Sequence, residues 1–267
     1  MERLSIFEAM PLVITSVVPC RACTCGRIAL GLLALLGAGG SSAQVGVTTF
    51  GIQVKPVVPL DFFDPVSTAE RPSMTGTVEL TGGLAFGMSV RVGITKAISL
   101  ETGIGQIQRR YRFNITNDTS GYSESDDIRY IGYEVPITGL VYIRLGQRTW
   151  MNAALGFSLD LYPSDAQRDI AEGRIYLFRS NWAQMGVLGN LGVEYRTERS
   201  GIFYLGGTFH RPFNPMAQAD FTYYYFGQPS FQSYTASTTL SGAYLTLDLR
   251  YYFHEDPDRT RLHRDGG

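Results

Sequence analysis

Alternation of apolar and polar residues is the clearest feature of the sequence after residue 44. A strand with one apolar face has a period of two residues, and this period recurs here in segments of about ten residues. In the last segment, Leu247 and Leu249 alternate with Asp248 and Arg250. The same pattern predicts eight strands, at 48–55, 83–94, 98–115, 130–145, 150–161, 182–196, 202–210 and 244–253.

The connections between these strands alternate in length. Long connections are predicted at 57–80, 116–128, 162–180 and 212–238, and short ones at 95–97, 146–148 and 197–200. Short periplasmic turns and longer extracellular loops are typical of outer-membrane barrels. No apolar run after Gln44 approaches the roughly 20 residues of a spanning helix. The sequence therefore predicts an all-β protein, an eight-stranded antiparallel up-and-down transmembrane β-barrel.

In the predicted strands with clean alternation, the charged residues fall on the polar face. A lipid-facing Arg or Lys at mid-membrane costs roughly 2–4 kcal/mol, so the charged face should point into the lumen. An eight-stranded barrel is just wide enough to be filled by side chains, and buried charges need partners. We expect an ion-pair network that plugs the lumen, with Glu134 paired to Arg91 or Arg144; a conducting ion pathway is the alternative. Its members are Lys55, Arg91, Glu101, Glu134, Arg144, Asp160, Glu194, Asp248 and Arg250.

Two positions interrupt the pattern within a strand. Segment 98–115 loses its phase near Gly105 and Gln106, where a β-bulge would restore the alternation. Pro136 lies inside a predicted strand and has no N–H to donate. Pro136 therefore predicts a bulge or locally weak pairing.

The first 43 residues have the features of a secretory signal peptide. Arg21 and Arg27 precede the apolar run 28–36, and small residues lead to Ala43. We place cleavage after Ala43; a retained anchor helix is the alternative. All three cysteines lie before this point, so the mature protein has no thiol. The predicted organisation is a leader at 1–43, a barrel at 44–253 and a charged, disordered periplasmic tail at 254–267.

Composition agrees with a barrel and excludes one class of partner. Charged residues make up 18% of the chain, whereas Gly (30), Tyr (16) and Phe (15) are abundant, which suits strands that face two media. The formal net charge of -1 gives no electrostatic basis for a nucleic-acid partner.

Three short segments resemble one family of bacterial barrels. The strand YIGYEVPI at 130–137 resembles the Y-x-E-[IV]-P-[IL] strand of PorT-like outer-membrane β-barrel domains. GITKAISLETGIG, within 87–105, and DLRYYF at 248–253 are similar to that family's hairpin and last strand. The resemblance implies an eight-stranded outer-membrane barrel, inserted by the barrel-assembly machinery, which would recognise the terminal aromatic strand. It implies no activity.

The sequence predicts no catalytic residue, no metal site and no cofactor. His210 is the one histidine within the predicted strands, and a Ser-His-Asp arrangement would need Ser158 and Asp160 beside it. Their spacing does not indicate such a meeting, and no G-x-S-x-G motif is present. We found no spacing typical of a metal-ligand cluster or a phosphate-binding loop.

Exposed aromatic and basic residues mark the predicted extracellular side. Aromatic residues at 221–231 and at 61–65 fit an interfacial girdle, or contacts to an extracellular protein or glycan. Those singled out in the later loop are Tyr223, Tyr224, Tyr225, Phe226 and Phe231. Arg109, Arg110 and Arg112 fit contacts to lipopolysaccharide phosphates, or a solvated strand extension.

The sequence favours a non-enzymatic membrane barrel with a structural, anchoring or surface-interaction role, surrounded by outer-membrane lipid and lipopolysaccharide. Two alternatives remain open. One is a transport barrel for small or apolar solutes, which a sizeable empty lumen would favour. The other is a secreted soluble barrel that binds an apolar ligand, in which the apolar face would point inward.

Overall fold

The computed structural model describes residues 47–59, 65–225 and 232–254, all within one compact unit. The predicted leader with its cysteines, and the tail beyond His254, lie outside the described residues. Within those ranges, no helix is long and apolar enough to cross a bilayer. The strands are β1 Thr48–Val58, β2 Val66–Arg71, β3 Met74–Gly93, β4 Ile98–Asn117, β5 Tyr122–Arg144, β6 Thr149–Leu161, β7 Ala166–Ile170, β8 Gly173–Arg179, β9 Ala183–Arg196, β10 Ile202–Pro212, β11 Ala217–Tyr225, β12 Gln232–Leu240 and β13 Tyr244–Tyr252.

Eight of these strands close into an antiparallel ring. Their order is β1-β13-β10-β9-β6-β5-β4-β3, and β3 pairs back onto β1 from Thr48 opposite Val92 to Val57 opposite Gly83. Closure gives every barrel strand a hydrogen-bonded neighbour on both sides, as a sheet within hydrocarbon requires. The predicted fold class is confirmed.

The outer surface of the ring is apolar, as predicted. On β13, the side chain of Leu249 is 49% exposed, while Asp248 beside it is 0% exposed and points into the lumen. The same outward belt includes Phe50, Ile52, Val54, Phe86, Met88, Ile104, Ile137, Leu155, Leu191 and Leu205. A monomer in water rarely exposes so continuous an apolar surface, so this belt faces lipid.

The two ends of the barrel differ. Short turns at 94–97, 145–148 and 197–201 lie at the same end as Val47 and His254. Aromatic side chains form a girdle at this end: Tyr195, Phe203 and Phe253 are exposed, and Tyr251 is half-buried against Phe203 and Phe253. Because periplasmic turns are short in these barrels, this end is periplasmic and the opposite end is extracellular.

The strands extend well beyond the bilayer on the extracellular side. β3, β4 and β5 contain 20, 20 and 23 residues, whereas about 9–11 residues span a membrane. The predicted loop at 116–128 is therefore mostly strand, with a tight turn at 118–121. Segment 57–80 likewise contains β2 and the upper part of β3. Segments 162–180 and 212–238 contribute a second sheet, of order β12-β11-β8-β7.

The apolar face reverses where the strands leave the lipid. β4 keeps one register with β3 through Gly105 and Gln106, so the predicted bulge there was wrong. Odd-numbered residues face inward along all of β4, and from Ile107 onward they are mostly apolar and buried. The loss of phase in the sequence reflects a change of medium from lipid to water. A register shift occurs instead on β3, between Leu80 and Gly82.

Pairing at Pro136 is weakened without a bulge. The β4–β5 register is the same at Thr102 opposite Ile137 and at Gly105 opposite Glu134, but the two intervening positions are not paired. The Thr102 hydroxyl donates to the Pro136 carbonyl at 2.8 Å. A side chain thus replaces a missing ladder bond.

A conventional hydrophobic core joins the extracellular sheet to the extended barrel strands. Met74 and Phe113 from the barrel strands pack in one cluster with Leu177 and Phe221 from the second sheet. A Cβ at Gly76 would lie 2.4 Å from the Phe221 ring, so this ring sits directly on the β3 backbone. The extracellular part is therefore built like a soluble β-domain.

Candidate functional site

The barrel lumen contains an ion-pair cluster near its periplasmic end, formed by Arg91, Glu101, Glu194, Asp248 and Arg250. Arg91 donates to Glu101 at 2.9 Å and to Glu194 at 2.5 Å. Arg250 donates to the other Glu101 oxygen at 2.6 Å and to Asp248 at 2.5 Å. Each arginine therefore bridges two carboxylates. We call these five residues the periplasmic cluster.

Neutral side chains complete the hydrogen bonding of these carboxylates. Asp248 accepts hydrogen bonds from Thr208 at 2.5 Å and Thr246 at 2.6 Å. Asn152 donates to Glu194 at 2.7 Å, and the Tyr252 hydroxyl donates to Glu101 at 2.7 Å. Buried charges are tolerated only with such additional partners, and each of the three carboxylates has them.

Aromatic rings enclose the arginines. The Arg91 guanidinium lies 4.0 Å from the centre of the Tyr252 ring, and that of Arg250 lies 4.9 Å from Tyr204. Arg196, which pairs with Glu194 at 3.2 Å, covers the Trp150 ring at 4.7 Å near the periplasmic mouth. Cation–π contacts of this kind strengthen where water is excluded.

Four of the nine residues predicted for the lumen network lie outside the periplasmic cluster. Lys55 is buried and acts electrostatically on Asp248, without an ion pair among the described residues. Glu134 and Asp160 lie in a second cluster, farther toward the extracellular side. Arg144 belongs to neither cluster. It is exposed at the periplasmic rim, donates to the Gly146 carbonyl at 2.9 Å and covers Trp150, so its predicted pairing with Glu134 was wrong.

The second group, which we call the histidine cluster, comprises Glu134, Ser158, Asp160, His210 and Tyr244. His210 Nε2 lies 2.9 Å from Ser158 Oγ, 3.0 Å from Asp160 Oδ2 and 3.9 Å from Glu134 Oε2. Tyr244 stacks on the His210 ring at 4.7 Å and donates its hydroxyl to Glu134. All five side chains are buried.

Gly186 makes this meeting possible. Ser158 on β6 and His210 on β10 are separated by β9, where Gly186 pairs directly with Ser158. A Cβ at Gly186 would lie 2.8 Å from His210 Nε2 and 2.9 Å from Ser158 Oγ. Residue spacing does not indicate this contact, because the contact depends on strand order.

The geometry differs from that of a hydrolytic triad. In a triad, the serine and the carboxylate contact opposite nitrogens of the imidazole. Here Ser158 and Asp160 both contact Nε2, and His210 Nδ1 has no hydrogen-bond partner within the described part of the chain. His210 is also 0% exposed, so its ring is shielded from solvent in this structure.

The histidine cluster also contains the residue types that bind metal ions. Glu134, Asp160 and His210 each offer one ligand atom within 4.8 Å of the others. Arg109 lies close enough to act electrostatically on Asp160, and its positive charge opposes that of a cation. The contacts are those of a hydrogen-bonded polar cluster.

Arg109, predicted to face lipopolysaccharide, instead points into the lumen. It is 2% exposed and lies 4.9 Å from the centre of the Tyr244 ring. Side chains alternate between the two faces of a strand, so Arg109 lies on the same face as Glu101, eight residues earlier on β4. The sequence could therefore have placed Arg109 in the lumen. With Arg109 and Arg196 added, the lumen side chains named here comprise five cations, Lys55, Arg91, Arg109, Arg196 and Arg250, and five carboxylates, Glu101, Glu134, Asp160, Glu194 and Asp248. Their charges cancel.

The predicted aromatic surface is only partly exposed. Tyr223 is buried, and its hydroxyl forms hydrogen bonds with the Ser120 hydroxyl at 3.0 Å and the Glu172 carboxylate at 3.1 Å. Its assignment to a surface contact was therefore wrong. Tyr224 is half-buried and Tyr225 is 40% exposed. Phe226, Phe231 and most of the aromatic segment at 61–65 lie outside the described residues.

Comparisons with known proteins give likenesses of fold alone. No protein-family model matches the sequence, and no curated protein matches it. The structure is similar to the outer membrane protein AlkL in lipid bilayers (12% identity, 81% of this chain, 95% of that chain, TM-score 0.41). It is also similar to the outer membrane protease OmpT from Escherichia coli (12% identity, 77% of this chain, 96% of that chain, TM-score 0.32). A third similar structure is the translocator domain of autotransporter NalP from Neisseria meningitidis (10% identity, 85% of this chain, 94% of that chain, TM-score 0.30).

These likenesses are weak, so the assignment rests on the barrel itself. The ring is closed, its outer belt is apolar, and its lumen is charged. A closed sheet of this kind satisfies every backbone group in lipid, and antiparallel barrels with short periplasmic turns are found in bacterial outer membranes. The chain is an outer-membrane β-barrel.

Proposed function

We propose that the protein is a sealed, non-enzymatic outer-membrane anchor that holds a folded β-domain on the extracellular side. The observation that carries this proposal is the succession of three groups of buried side chains along the barrel axis. Ion pairs occupy the periplasmic half, the histidine cluster lies above them, and an apolar core closes the extracellular end.

The filled lumen supports the sealed state. The periplasmic cluster joins strands from opposite sides of the ring, since Arg91 on β3 reaches Glu194 on β9 at 2.5 Å. Water or ions would have to separate such pairs to pass, and removing one partner of a buried pair costs roughly 3–5 kcal/mol. A transport barrel for small or apolar solutes would need an open path through this network.

The extracellular part supports the anchoring role. The second sheet contains four strands and shares one apolar core with the extended barrel strands, so it is held rigidly on the barrel. Tyr225 and Tyr234 are 40% and 38% exposed on this domain. Exposed tyrosines are common anchors in protein and glycan recognition, so the partner we propose is an extracellular protein or glycan.

Two features support insertion by the barrel-assembly machinery and PorT-like membership. The final strand β13 ends in Tyr251 and Tyr252, and the exposed Phe253 directly after it forms part of the aromatic girdle. The segment YIGYEVPI lies within β5, where Glu134 faces the lumen. Both assignments remain proposals.

Planar-bilayer recordings test the sealed state. The reconstituted parent protein should give no stable open levels, because the lumen is filled. Replacing Arg91 and Arg250 together by Ser should produce open levels, whereas Arg144→Ser at the rim should not. A heat-modifiable gel shift checks that each variant is folded. Large, stable open levels in the parent protein would refute the proposal.

A further inference from the structure

Two arginines face each other on the outside of the barrel without a compensating charge. Arg110 on β4 and Arg129 on β5 are directly opposite in the antiparallel ladder, and both are exposed. Like charges placed directly opposite destabilise a sheet. Neither guanidinium has a carboxylate within 4 Å among the described residues, so the pair attracts anions.

The neighbouring arginines are already paired. Arg112 bonds Asp127 at 3.3 Å, and it also lies opposite Glu79 on β3. Arg168 on β7 bonds Asp126 at 2.6 Å. Arg110, by contrast, lies opposite Gly82 on its β3 side, which offers no side chain. The excess positive charge is therefore confined to Arg110 and Arg129.

This pair lies just above the apolar belt. The next outward pair toward the periplasm is Gln108 opposite Ile131, and the exposed Leu84 lies beside it on β3. The pair is therefore at the level where the headgroups of the outer leaflet begin. Charged side chains at this depth can reach phosphate groups while apolar neighbours contact acyl chains.

A cavity adjoins Arg110 at this level. It has a volume of about 420 Å³, and its lining includes Thr81, Leu84, Arg110 and Arg129. The mutually paired Arg112 and Asp127 also line it, and their charges compensate each other. A Cβ at Gly83 would lie 2.3 Å from the Gln108 carbonyl, so only glycine fits beside β4 there. The glycines and the shifted register at Thr81 leave open space between the two arginines and the lipid belt.

We propose that Arg110 and Arg129 bind a phosphate group of a glycolipid headgroup, of the lipid A class, in the outer leaflet. Two guanidinium groups can grip one phosphate through several charge-assisted hydrogen bonds. The exposed Leu84 and Ile131 would contact the acyl chains of the same molecule. The sequence suggested Arg109, Arg110 and Arg112 for this role; the structure retains only Arg110 and adds Arg129.

The test measures lipid A retained by the folded barrel. The full chain is reconstituted in phosphatidylcholine nanodiscs that contain lipid A, extracted in mild detergent, and the lipid A per barrel is quantified by mass spectrometry. The variant carrying Arg110→Gln and Arg129→Gln should retain about tenfold less lipid A than the parent. The control Arg174→Gln removes an arginine that pairs with Asp169 on the second sheet, outside the lining of this cavity, and should retain nearly as much as the parent.

Two further measurements distinguish the contributions of charge, hydrogen-bond geometry and acyl chains to lipid A binding. The Arg110→Lys and Arg129→Lys variant keeps the charge but loses the bidentate geometry, so it should retain an intermediate amount. Inorganic phosphate should displace little lipid A from the parent if the acyl chains also contribute. Only molecules that show the heat-modifiable gel shift are compared. Equal retention by the parent and the double Gln variant, or complete displacement by inorganic phosphate, would overturn the proposal.

Discussion

Ser158 Oγ and His210 Nε2 lie 2.9 Å apart inside the barrel, although their strands are separated by β9. The contact passes over Gly186, whose missing side chain leaves room for both groups. Asp160 and Glu134 lie near the same imidazole. Gly186 on β9 therefore leaves the space in which polar side chains from β5, β6 and β10 meet.

Gly186→Ala should destabilise the barrel by about 1–3 kcal/mol, because the new methyl group would overlap His210 and Ser158. Urea unfolding in detergent micelles, followed by tryptophan fluorescence, measures the change. Gly189→Ala on the same strand is the control, since no atom lies within 4 Å of its added Cβ. Equal stability of the two variants would show that the contact across Gly186 is unimportant.

Glu194→Gln should cost roughly 3–5 kcal/mol, because it leaves the buried Arg91 and the half-buried Arg196 without their shared carboxylate. The same unfolding assay applies. Glu198→Gln is the matched control, since Glu198 pairs with Arg148 on an exposed turn and should contribute about 1 kcal/mol or less. A cost at Glu194 no larger than at Glu198 would contradict a tightly packed lumen.

Phe221→Ala should loosen the extracellular sheet while leaving the membrane barrel intact. The Phe221 ring is fully buried against Gly76, and removing a core phenylalanine costs roughly 3–5 kcal/mol. Limited proteolysis of proteoliposomes should then cut within the second sheet, in β7, β8, β11 or β12, and leave the barrel strands protected. Tyr225→Ala, at an exposed position of the same strand, should leave the sheet resistant. Equal resistance in both variants would disprove the shared core.

The pairing of β7 with the barrel should depend on pH. Arg168 donates a hydrogen bond to Asp126 and lowers the pKa of that carboxyl below its ordinary value of 3.8. The stabilisation is therefore present above about pH 4 and is lost as the pH falls through the lowered pKa of folded Asp126. Hydrogen exchange in β7, corrected for its intrinsic pH dependence, should rise below about pH 4 in the parent. In Asp126→Asn it should already be raised at pH 7, and an unchanged exchange there would rule out this role.

The membrane part of the fold was predictable because one physical rule governs it. Because lipid lies outside and charge lies inside, apolar residues such as Leu249 alternate with polar residues such as Asp248 along most of each barrel strand. The short turns make consecutive barrel strands neighbours. Arg91, Glu101, Glu194, Asp248 and Arg250 could be placed in the lumen from this alternation alone.

The strands of the extracellular part were not predicted. In lipid the apolar residues of a strand face outward, whereas in water they face the core, so the apolar face changes side where a strand leaves the membrane. Ile107 and Phe113 continue the inward face of Glu101, but their apolar character suggested a break in phase. The meeting of Ser158 with His210 depends on strand adjacency and on Gly186, and neither is visible in local spacing. The position of Arg144 depends on where the strand ends, which periodicity does not define.

The most direct measurement is the accessibility of spin labels along β13 in lipid vesicles. In a background with Cys20, Cys23 and Cys25 replaced by Ser, single cysteines at positions 245 to 250 are labelled with a nitroxide. Labels at Leu247 and Leu249 should collide with oxygen dissolved in the lipid, whereas labels at Thr246 and Asp248 should be shielded. If Asp248 and Arg250 proved to contact the lipid or bulk water while Leu247 and Leu249 were enclosed, the barrel described here would be inside out.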